Sequence, residues 1–211
     1  MKTESRNALP LCIDYQMIYQ ALEIIKDQAS NYLEAQLQTA GLVVLENIAK
    51  LDEPGFNTIT DKVVLTLINM EEEVTLKNQP TSYIRNDETH YKNQPIHLNL
   101  YVLFSVNRTG YDNSLNALST VIEFFQSKKI FTNANTVLNP AIPALAEVTE
   151  FKLTVDLYTP TFEQQNYIWG TLGGKSIPNA MFKVTLVKID SSRLLQKGTQ
   201  ISSAESTALP I

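Results

Sequence analysis

Residues 170–176 (GTLGGKS) resemble the phosphate-binding loop of nucleotide-binding proteins. That motif needs a glycine, four residues and then Gly-Lys-Ser or Gly-Lys-Thr, because backbone N–H groups and the lysine together hold the phosphates. The first glycine would have to stand at position 169, where the chain has Trp169. The motif also joins a strand to a following helix, whereas a helix precedes this stretch and a strand follows it. We therefore predict a glycine-terminated helix and a turn, with no bound nucleotide.

His90 and His97 are the only histidines. His97 lies on a predicted strand, and His90 lies in the long loop near the acidic run Glu71, Glu72 and Glu73. Two histidines and a carboxylate form a workable metal-ligand set. Nothing in the spacing requires one, so we expect no metal. The acidic run is then a solvated strand end, and His97 is a half-buried strand residue with a hydrogen-bond partner.

Apart from the presence of Ser, His and Asp residues, the sequence offers no support for nucleophilic catalysis. The chain has neither a G-x-S-x-G elbow nor an H-E-x-x-H helix. A Ser-His-Asp triad is a spatial arrangement, so a small hydrolase using His97 stays open as an alternative. We predict no catalytic residue and no cofactor.

Trp169 lies on a short amphipathic helix beside Tyr167 and Ile168. One interpretation is a core anchor. The other is an interface anchor, because Trp and Tyr are enriched among the residues that dominate binding energy.

The composition indicates one globular unit and argues against a nucleic-acid platform and against membrane insertion. The chain has 211 residues, of which 44% are hydrophobic, and its net charge is −5. A nucleic-acid platform would show a basic patch or stripe, and no run of Lys or Arg is present. The longest apolar runs fall far short of the roughly 20 residues that a membrane helix needs.

Cys12 is the only cysteine, so an intramolecular disulfide is impossible and the residue is expected to be a small apolar side chain near the first helix. The first residues have no sustained apolar core, which argues against a signal peptide. We expect a cytosolic product.

Residues 95–107 (PIHLNLYVLFSVN) organise the expected fold. Apolar residues alternate with more polar ones, which predicts a long strand with one fully apolar face. Such a strand needs partners on both edges and a layer against that face. The apolar positions are Ile96, Leu98, Leu100, Val102, Phe104 and Val106.

Further strands are predicted from periodicity and turn signals. The segment 62–70 is apolar at nearly every position, as in a strand covered on both faces. The predicted strands besides the long one are 42–48, 62–70, 151–158 and 180–189.

Three helices are expected. The first is capped by Asp14 and ends near Gly41. The second is capped by Asp112 or Asn113, with Lys128 and Lys129 in its last turn. Its predicted buried stripe consists of Leu115, Leu118, Ile122 and Phe125.

The third helix begins at Thr161, which with Gln164 has capping-box spacing, and ends at Gly173 and Gly174. Three segments are expected to lack regular structure: the long loop 74–94, the loop 132–147 and the polar tail 191–211.

The resulting prediction is an α+β fold, with a mixed or antiparallel sheet of about five strands and flanking helices. We expect one domain over residues 1–190 and a flexible tail over 191–211.

Five strings, in the same order and spacing, resemble the N-terminal domain of cap proteins, or tube terminators, from contractile injection systems. These systems are phage-tail-like particles, and the resemblance covers about residues 18–189. The strings are 71–73 (EEE) with 76–78 (LKN), 97–104 (HLNLYVLF), 124–126 (FFQ), 153–157 (LTVDL), and 169–174 (WGTLGG) with Pro178. The chain departs from the family at 179–182, where Ser would follow Pro178 and Tyr would replace Phe182, and the tail 191–211 has no counterpart.

The resemblance implies a structural role and a fold similar to that of phage tail terminators. Such proteins form a hexameric ring on the distal end of the inner tube, stop its growth and join the last ring of the sheath. The implied partners are copies of the chain, the inner-tube protein and the sheath protein, with assembly in the cytoplasm. The candidate interface residues are Glu71, Glu72, Glu73, Lys77, Asn78, Trp169, Gly173, Gly174 and Pro178.

A baseplate or ring adaptor of the same machine is the first alternative, because terminator-like folds recur there. The loop 74–94 and the tail 191–211 are the segments expected to reach neighbours. Either could add a strand to the exposed sheet edge of a partner.

Overall fold

The computed structural model describes residues 17–55, 57–73, 82–85, 88–92, 96–146, 148, 151–189 and 194–199. These contain three α-helices and nine strands. The helices are α1 (Met17–Leu37), α2 (Tyr111–Ser127) and α3 (Phe162–Thr171). The strands are β1 (Val43–Leu45), β2 (Lys62–Glu72), β3 (Ser82–Arg85), β4 (Glu88–Lys92), β5 (Ile96–Asn107), β6 (Ile130–Thr132), β7 (Lys152–Tyr158), β8 (Asn179–Ile189) and β9 (Leu194–Thr199).

The long strand β5 lies inside a six-stranded mixed sheet of order β1-β2-β5-β8-β7-β6. It pairs antiparallel with β2 on one edge and with β8 on the other, which confirms the expectation of partners on both sides. Only the β1–β2 pair is parallel. The predicted α+β class with a mixed sheet is confirmed.

Both faces of this sheet are covered, because alternate residues of β5 point to two different cores. Leu100, Val102 and Phe104 join the larger core with the buried faces of α1 and α2. Leu103 joins a smaller core on the opposite face with Trp169 of α3. The apolar run of β2 divides likewise, since Val63 and Leu65 enter the larger core and Val64 enters the smaller one. The first half of β2 is therefore covered on both faces as predicted for 62–70, whereas Asn69 and Met70 are exposed.

An aromatic cluster fixes how α2 lies on the sheet. Phe125 packs 4.6 Å from Phe182 and 5.3 Å from Phe104, measured between ring centroids. Phe124 packs 5.2 Å from the ring of Tyr32 on α1. Burial of two adjacent aromatic side chains, each worth a few kcal/mol at most, sets the rotation of the helix.

This rotation makes the predicted buried stripe of α2 largely wrong. Leu115 and Ile122 are exposed and Leu118 is half-buried, so only Phe125 lies where it was expected. The sequence allowed two apolar stripes, and the one ending in both Phe124 and Phe125 is the one that meets the sheet. The buried residues of α2 are Ser114, Ala117, Thr120, Val121, Phe124 and Phe125.

The second helix also begins differently from the prediction. Its N-cap is Gly110, at φ 88°, rather than Asp112 or Asn113, and Lys128 is the C-cap residue. The capping box of α3 is present as predicted, with Thr161 accepting from the Gln164 N–H and Gln164 accepting from the Thr161 N–H. The predicted cap Asp14 lies outside the described residues.

Two predictions of irregular structure need correction. The loop 74–94 contains β3 and β4, and the tail 191–211 contains β9. These strands form a second, three-stranded sheet of order β3-β4-β9, paired antiparallel. The β4–β9 pair continues the β5–β8 pair along the chain, since Ile96 pairs with Ile189 and Lys92 pairs with Leu194. The proposed boundary at residue 190 stays a prediction.

The main sheet has one strand more than predicted. The extra strand β6 pairs with β7 at the sheet edge and reaches into the segment expected to be a loop. Three residues are too few to show a period of two, so no sequence pattern could have revealed β6. The 3-10 helix Pro143–Leu145 lies in the same predicted loop.

Candidate interaction surfaces

The acidic end of β2 lies beside the polar half of β5. The Tyr101 hydroxyl donates a hydrogen bond to Glu71 at 2.8 Å. That bond, together with partial burial, raises the pKa of Tyr101 to about 12. Glu71 and Glu72 are exposed, as expected of a solvated strand end.

Glu73 takes part in a hydrogen-bonded network across three strands. It accepts from the Asn99 side chain at 2.8 Å, and Asn99 in turn accepts from the Thr185 hydroxyl at 3.0 Å. The Lys183 ammonium lies 4.0 Å from the Glu73 carboxylate. The network orients Glu73, whereas Glu71 and Glu72 lie outside it and are exposed.

His97 differs from its prediction in two respects. It is buried, with 5% of its surface exposed, and neither ring nitrogen has a hydrogen-bond partner. Ser105, also buried without a partner, lies on the same strand eight residues away, which is about 26 Å along β5. These two side chains therefore cannot form a nucleophile–base pair within one chain.

No group of three or more His, Cys, Asp or Glu side chains within the described part of the chain could hold a metal ion. His90 belongs to β4, whose side chains are not described.

Trp169 packs in the smaller core with 5% of its surface exposed. Its indole N–H has no partner. This is the packing of a core anchor, so an interface role would have to use its small exposed fraction. That role stays a prediction.

The glycine-rich stretch after α3 forms a helix stop and a turn. Gly173 and Gly174 have φ angles of 106° and 82°, which L side chains rarely adopt. The Gly174 N–H donates to the Trp169 carbonyl at 2.7 Å, and Lys175 reaches Asp52 at 2.9 Å. The loop therefore connects a helix to a strand, the reverse of a phosphate-binding loop.

The remaining candidate residues fall in different places. The Pro178 carbonyl accepts from the Val106 N–H at 2.8 Å, so Pro178 leads β8 into its pairing with β5. Lys77 and Asn78 lie outside the described residues. Glu71 and Glu72, on β2, and the turn at Gly173 and Gly174 are exposed.

A surface that the sequence reasoning missed lies on α2. Tyr111, Leu115 and Ile122 are 71%, 42% and 37% exposed. They are spaced four and seven residues apart, so they form one narrow stripe about 120° around the helix from the buried face. The sequence signal for this surface is the apolar spacing of Leu115 and Ile122, which fits a buried helical stripe equally well.

A second exposed apolar group surrounds the start of α3. Phe162 is 94% exposed, and Leu157 and Tyr167 are also exposed. Phe162 follows the N-cap Thr161 directly, at the point where the capping box directs the chain into the helix.

The sheet, its two-sided core and its exposed apolar groups define an α+β domain whose described surface offers patches for contact. The chain belongs to the Pvc16 N-terminal domain family, whose model matches residues 21–203. That match includes part of the tail 191–211, for which the resemblance gave no counterpart.

Two solved structures share the fold. One is the sheath/tube terminator of the PVC extracellular contractile injection system in its extended state, with TM-score 0.58, 12% identity and 92% of this chain covered. The other is the tube-terminating cap of the anti-feeding prophage AFP, with TM-score 0.59, 13% identity and 92% of this chain covered. This chain spans 64% and 62% of those two chains.

No curated protein matches this sequence. Among the described residues, no helix combines the length and the apolar character that a membrane crossing requires.

Proposed function

We propose that this chain is a structural cap subunit of a contractile injection system. It ends the growth of the inner tube and joins the last sheath ring at the distal end of the particle. The observation that carries the proposal is membership of the Pvc16 N-terminal domain family over residues 21–203, together with a fold shared by two tube terminators.

A closed ring of identical subunits can end a polymer that would otherwise continue to grow. A tube grows through a head-to-tail interface that never closes on itself. A cap matches one end of that interface and offers no copy of the other. Its subunits meet side to side in a closed ring, which we expect to contain six copies.

The exposed stripe of α2 supports an assembling chain. Tyr111, Leu115 and Ile122 present apolar surface that an isolated domain gains nothing by exposing. We assign this stripe to contacts between neighbouring copies in the ring. Two other exposed surfaces are proposed to contact the inner-tube or sheath protein. They are the acidic pair Glu71 and Glu72 and the turn at Gly173 and Gly174.

The role is mechanical rather than enzymatic in this proposal. The only buried histidine with described side-chain packing, His97, faces no nucleophile within reach on its strand. The chain acts in the cytoplasm during assembly and then remains part of the particle.

The test uses the purified chain and polymerised inner-tube protein of the same system, imaged by electron microscopy. We expect sixfold rings, one on a single end of each tube, and tubes that stop elongating once capped. The chain with Leu115→Lys and Ile122→Lys should form fewer rings and cap fewer tubes, and Asn116→Lys with Ser119→Lys is the matched control. Rings that bind along the tube wall, or tubes that continue to grow, would contradict a capping role and favour a baseplate or ring adaptor.

A further inference from the structure

The outer strand β6 has backbone groups that face away from the main sheet. It pairs with β7 on one side, and no other strand of the described residues lies beyond it. The Val155 N–H donates to the Lys129 carbonyl at 2.8 Å, so the odd-numbered residues of this stretch face β7. The alternation of a sheet ladder then directs the backbone groups of Ile130 and Thr132 outward.

One side chain, that of Asn135, bonds to both of these outward residues. Its amide nitrogen donates to the Ile130 carbonyl at 3.0 Å, and its amide oxygen accepts from the Thr132 N–H at 2.9 Å. A residue of a parallel neighbouring strand would make the same two bonds, one to each side of Phe131. The carboxamide therefore takes the place of a residue in a seventh strand.

The position of Asn135 is held by its main chain. Its N–H donates to the Thr132 carbonyl at 3.1 Å, and its carbonyl accepts from the Lys128 ammonium at 2.9 Å. Neither bond uses the side chain, so both persist when the side chain is replaced. Loss of the carboxamide should therefore open the β6 edge without releasing the loop that follows it.

The opposite edge of the sheet is open along the second half of β2. The outer strand β1 pairs with β2 only from Val63 to Leu65. Beyond Leu65, no other strand of the described residues lies on that side of β2. Met70 lies in this stretch and is 49% exposed.

The backbone of Met70 points to this open edge. The Glu73 N–H donates to the His97 carbonyl of β5 at 2.8 Å, and the pairing of β2 with β5 is regular from Asn69 onwards, after the bulge. Since alternate residues face opposite sides of a ladder, the N–H and C=O groups of Met70 point away from β5.

The two edges match each other in direction and in side-chain orientation. Four successive antiparallel pairs separate β2 from β6, so the two strands run the same way. Phe131 packs in the larger core, and Met70 pairs with Leu100 of that same core. A second copy placed beside the first in the same orientation would set its Phe131 opposite Met70. Met70 would then make the two bonds that Asn135 makes within one chain.

We propose that Asn135 closes the β6 edge against the β2 edge of a second copy. Two matching free edges on one sheet form a head-to-tail contact that does not close, which leads to open-ended assembly. Occupation of one edge by a side chain of the same molecule prevents such growth. The inference uses the sheet alone and does not rest on the capping function.

A disulfide between strand edges gives a direct test in the full chain, with Cys12→Ser to remove the only native thiol. Ile130→Cys and Asn69→Cys, both at exposed positions, would be direct neighbours across the proposed contact, within disulfide range. Within one chain they are four strand spacings apart, about 19 Å. A disulfide between positions 69 and 130, mapped by mass spectrometry, therefore joins two copies.

We expect Asn135→Ala to form this disulfide at least about tenfold faster than the chain with Asn135, because pairing raises the effective concentration of the thiols. Asn139→Ala is the matched control. It removes another side chain of the same loop, one bonded to Asp27 at 3.2 Å, and should leave the rate unchanged. Asn135→Ser, which stays polar but has no amide to bridge the two backbone groups, should behave as Asn135→Ala does.

A further substitution separates edge pairing from chance collision. Met70→Pro removes the N–H that would bond to Ile130, and it spares the bonds to β5 because this nitrogen points outward. Added to Asn135→Ala, it should return the rate to that of the chain with Asn135. Equal rates in Asn135→Ala and Asn139→Ala, rapid cross-linking while Asn135 is present, or no effect of Met70→Pro would overturn the proposal. The assay needs no tube or sheath, so its outcome is separate from that of the capping test.

Discussion

The Thr66 hydroxyl donates to the Glu46 carbonyl at 2.6 Å, and this contact ends the parallel pairing of the first two strands. The Thr66 side chain is buried, and its bond with the Ile48 N–H is buried as well. Thr66→Val keeps the shape of the side chain and removes both hydrogen bonds. We expect a loss of about 1–3 kcal/mol in the free energy of unfolding, because a buried carbonyl and N–H are left unpaired.

Urea denaturation checks this value, with the exposed Thr58→Val as the matched control. The control should change the free energy of unfolding by less than about 0.5 kcal/mol. Equal effects of the two substitutions would show that the Thr66 contacts do not stabilise the sheet edge.

The bond between Tyr101 and Glu71 predicts a pH dependence. It raises the pKa of Tyr101 from 10.0 to about 12, so the folded protein keeps this proton after the unfolded chain has lost it. The stabilisation is therefore complete below pH 10, decreases between pH 10 and 12, and is absent above.

The absorbance of tyrosinate, taken as the difference between the protein and its Tyr101→Phe variant, isolates this titration among nine tyrosines. Glu71→Gln should move the midpoint down towards 10, and the exposed Glu53→Gln should leave it unchanged. A midpoint near 10 in the unaltered protein would contradict the hydrogen bond.

Substitution of Phe104 tests the core of the sheet, and the same substitution at the exposed Phe162 is its matched control. Phe104 is fully buried between Phe125 and Phe182, whereas Phe162 is 94% exposed. Phe104→Ala should cost about 3–5 kcal/mol in the free energy of unfolding, since it removes transfer energy and leaves a cavity. Phe162→Ala should cost less than about 0.5 kcal/mol in the isolated chain. Thermal and urea denaturation measure both, and similar losses would place Phe162 in a packed environment.

The α2 stripe predicts a defect in assembly without a defect in folding. Leu115→Lys with Ile122→Lys should leave the folded chain intact, because both side chains are exposed. Ring formation should weaken at least about tenfold, the effect of losing 1.4 kcal/mol of contact energy.

Asn116→Lys with Ser119→Lys adds the same charge to other exposed positions of α2 and is the control. Analytical ultracentrifugation compares the two pairs. Unchanged ring formation in the Leu115 and Ile122 variant would remove the stripe from the subunit contact.

The sequence was informative where a pattern was long or chemically specific. The alternation through β5 required a central strand with two partners, and Thr161 with Gln164 predicted the start of α3. It was misleading where two arrangements satisfied the same pattern. Leu115, Leu118 and Ile122 fit a buried helical stripe as well as Ala117, Val121 and Phe124 do, and only the packing of Phe124 and Phe125 against tertiary neighbours distinguishes them.

The second sheet and the candidate surface were harder to predict for a different reason. β3, β4 and β9 are short, mostly polar strands, and although β3 and β4 pair locally, the β4–β9 pair joins residues about 100 positions apart, as between His90 and Lys197. Such pairing leaves little local signal. The pairing of β1 with β2 ends at Leu65, next to the hydrogen bonds of Thr66, and β2 has a bulge after Leu67; a period of two reveals neither feature.

The most direct test of the capping role is the length of inner tubes in particles assembled by the parent system with and without this chain, measured by electron microscopy. The proposal predicts a narrow length distribution with the chain and tubes of uncontrolled length without it. Unchanged tube lengths, or the absence of particles altogether, would contradict it.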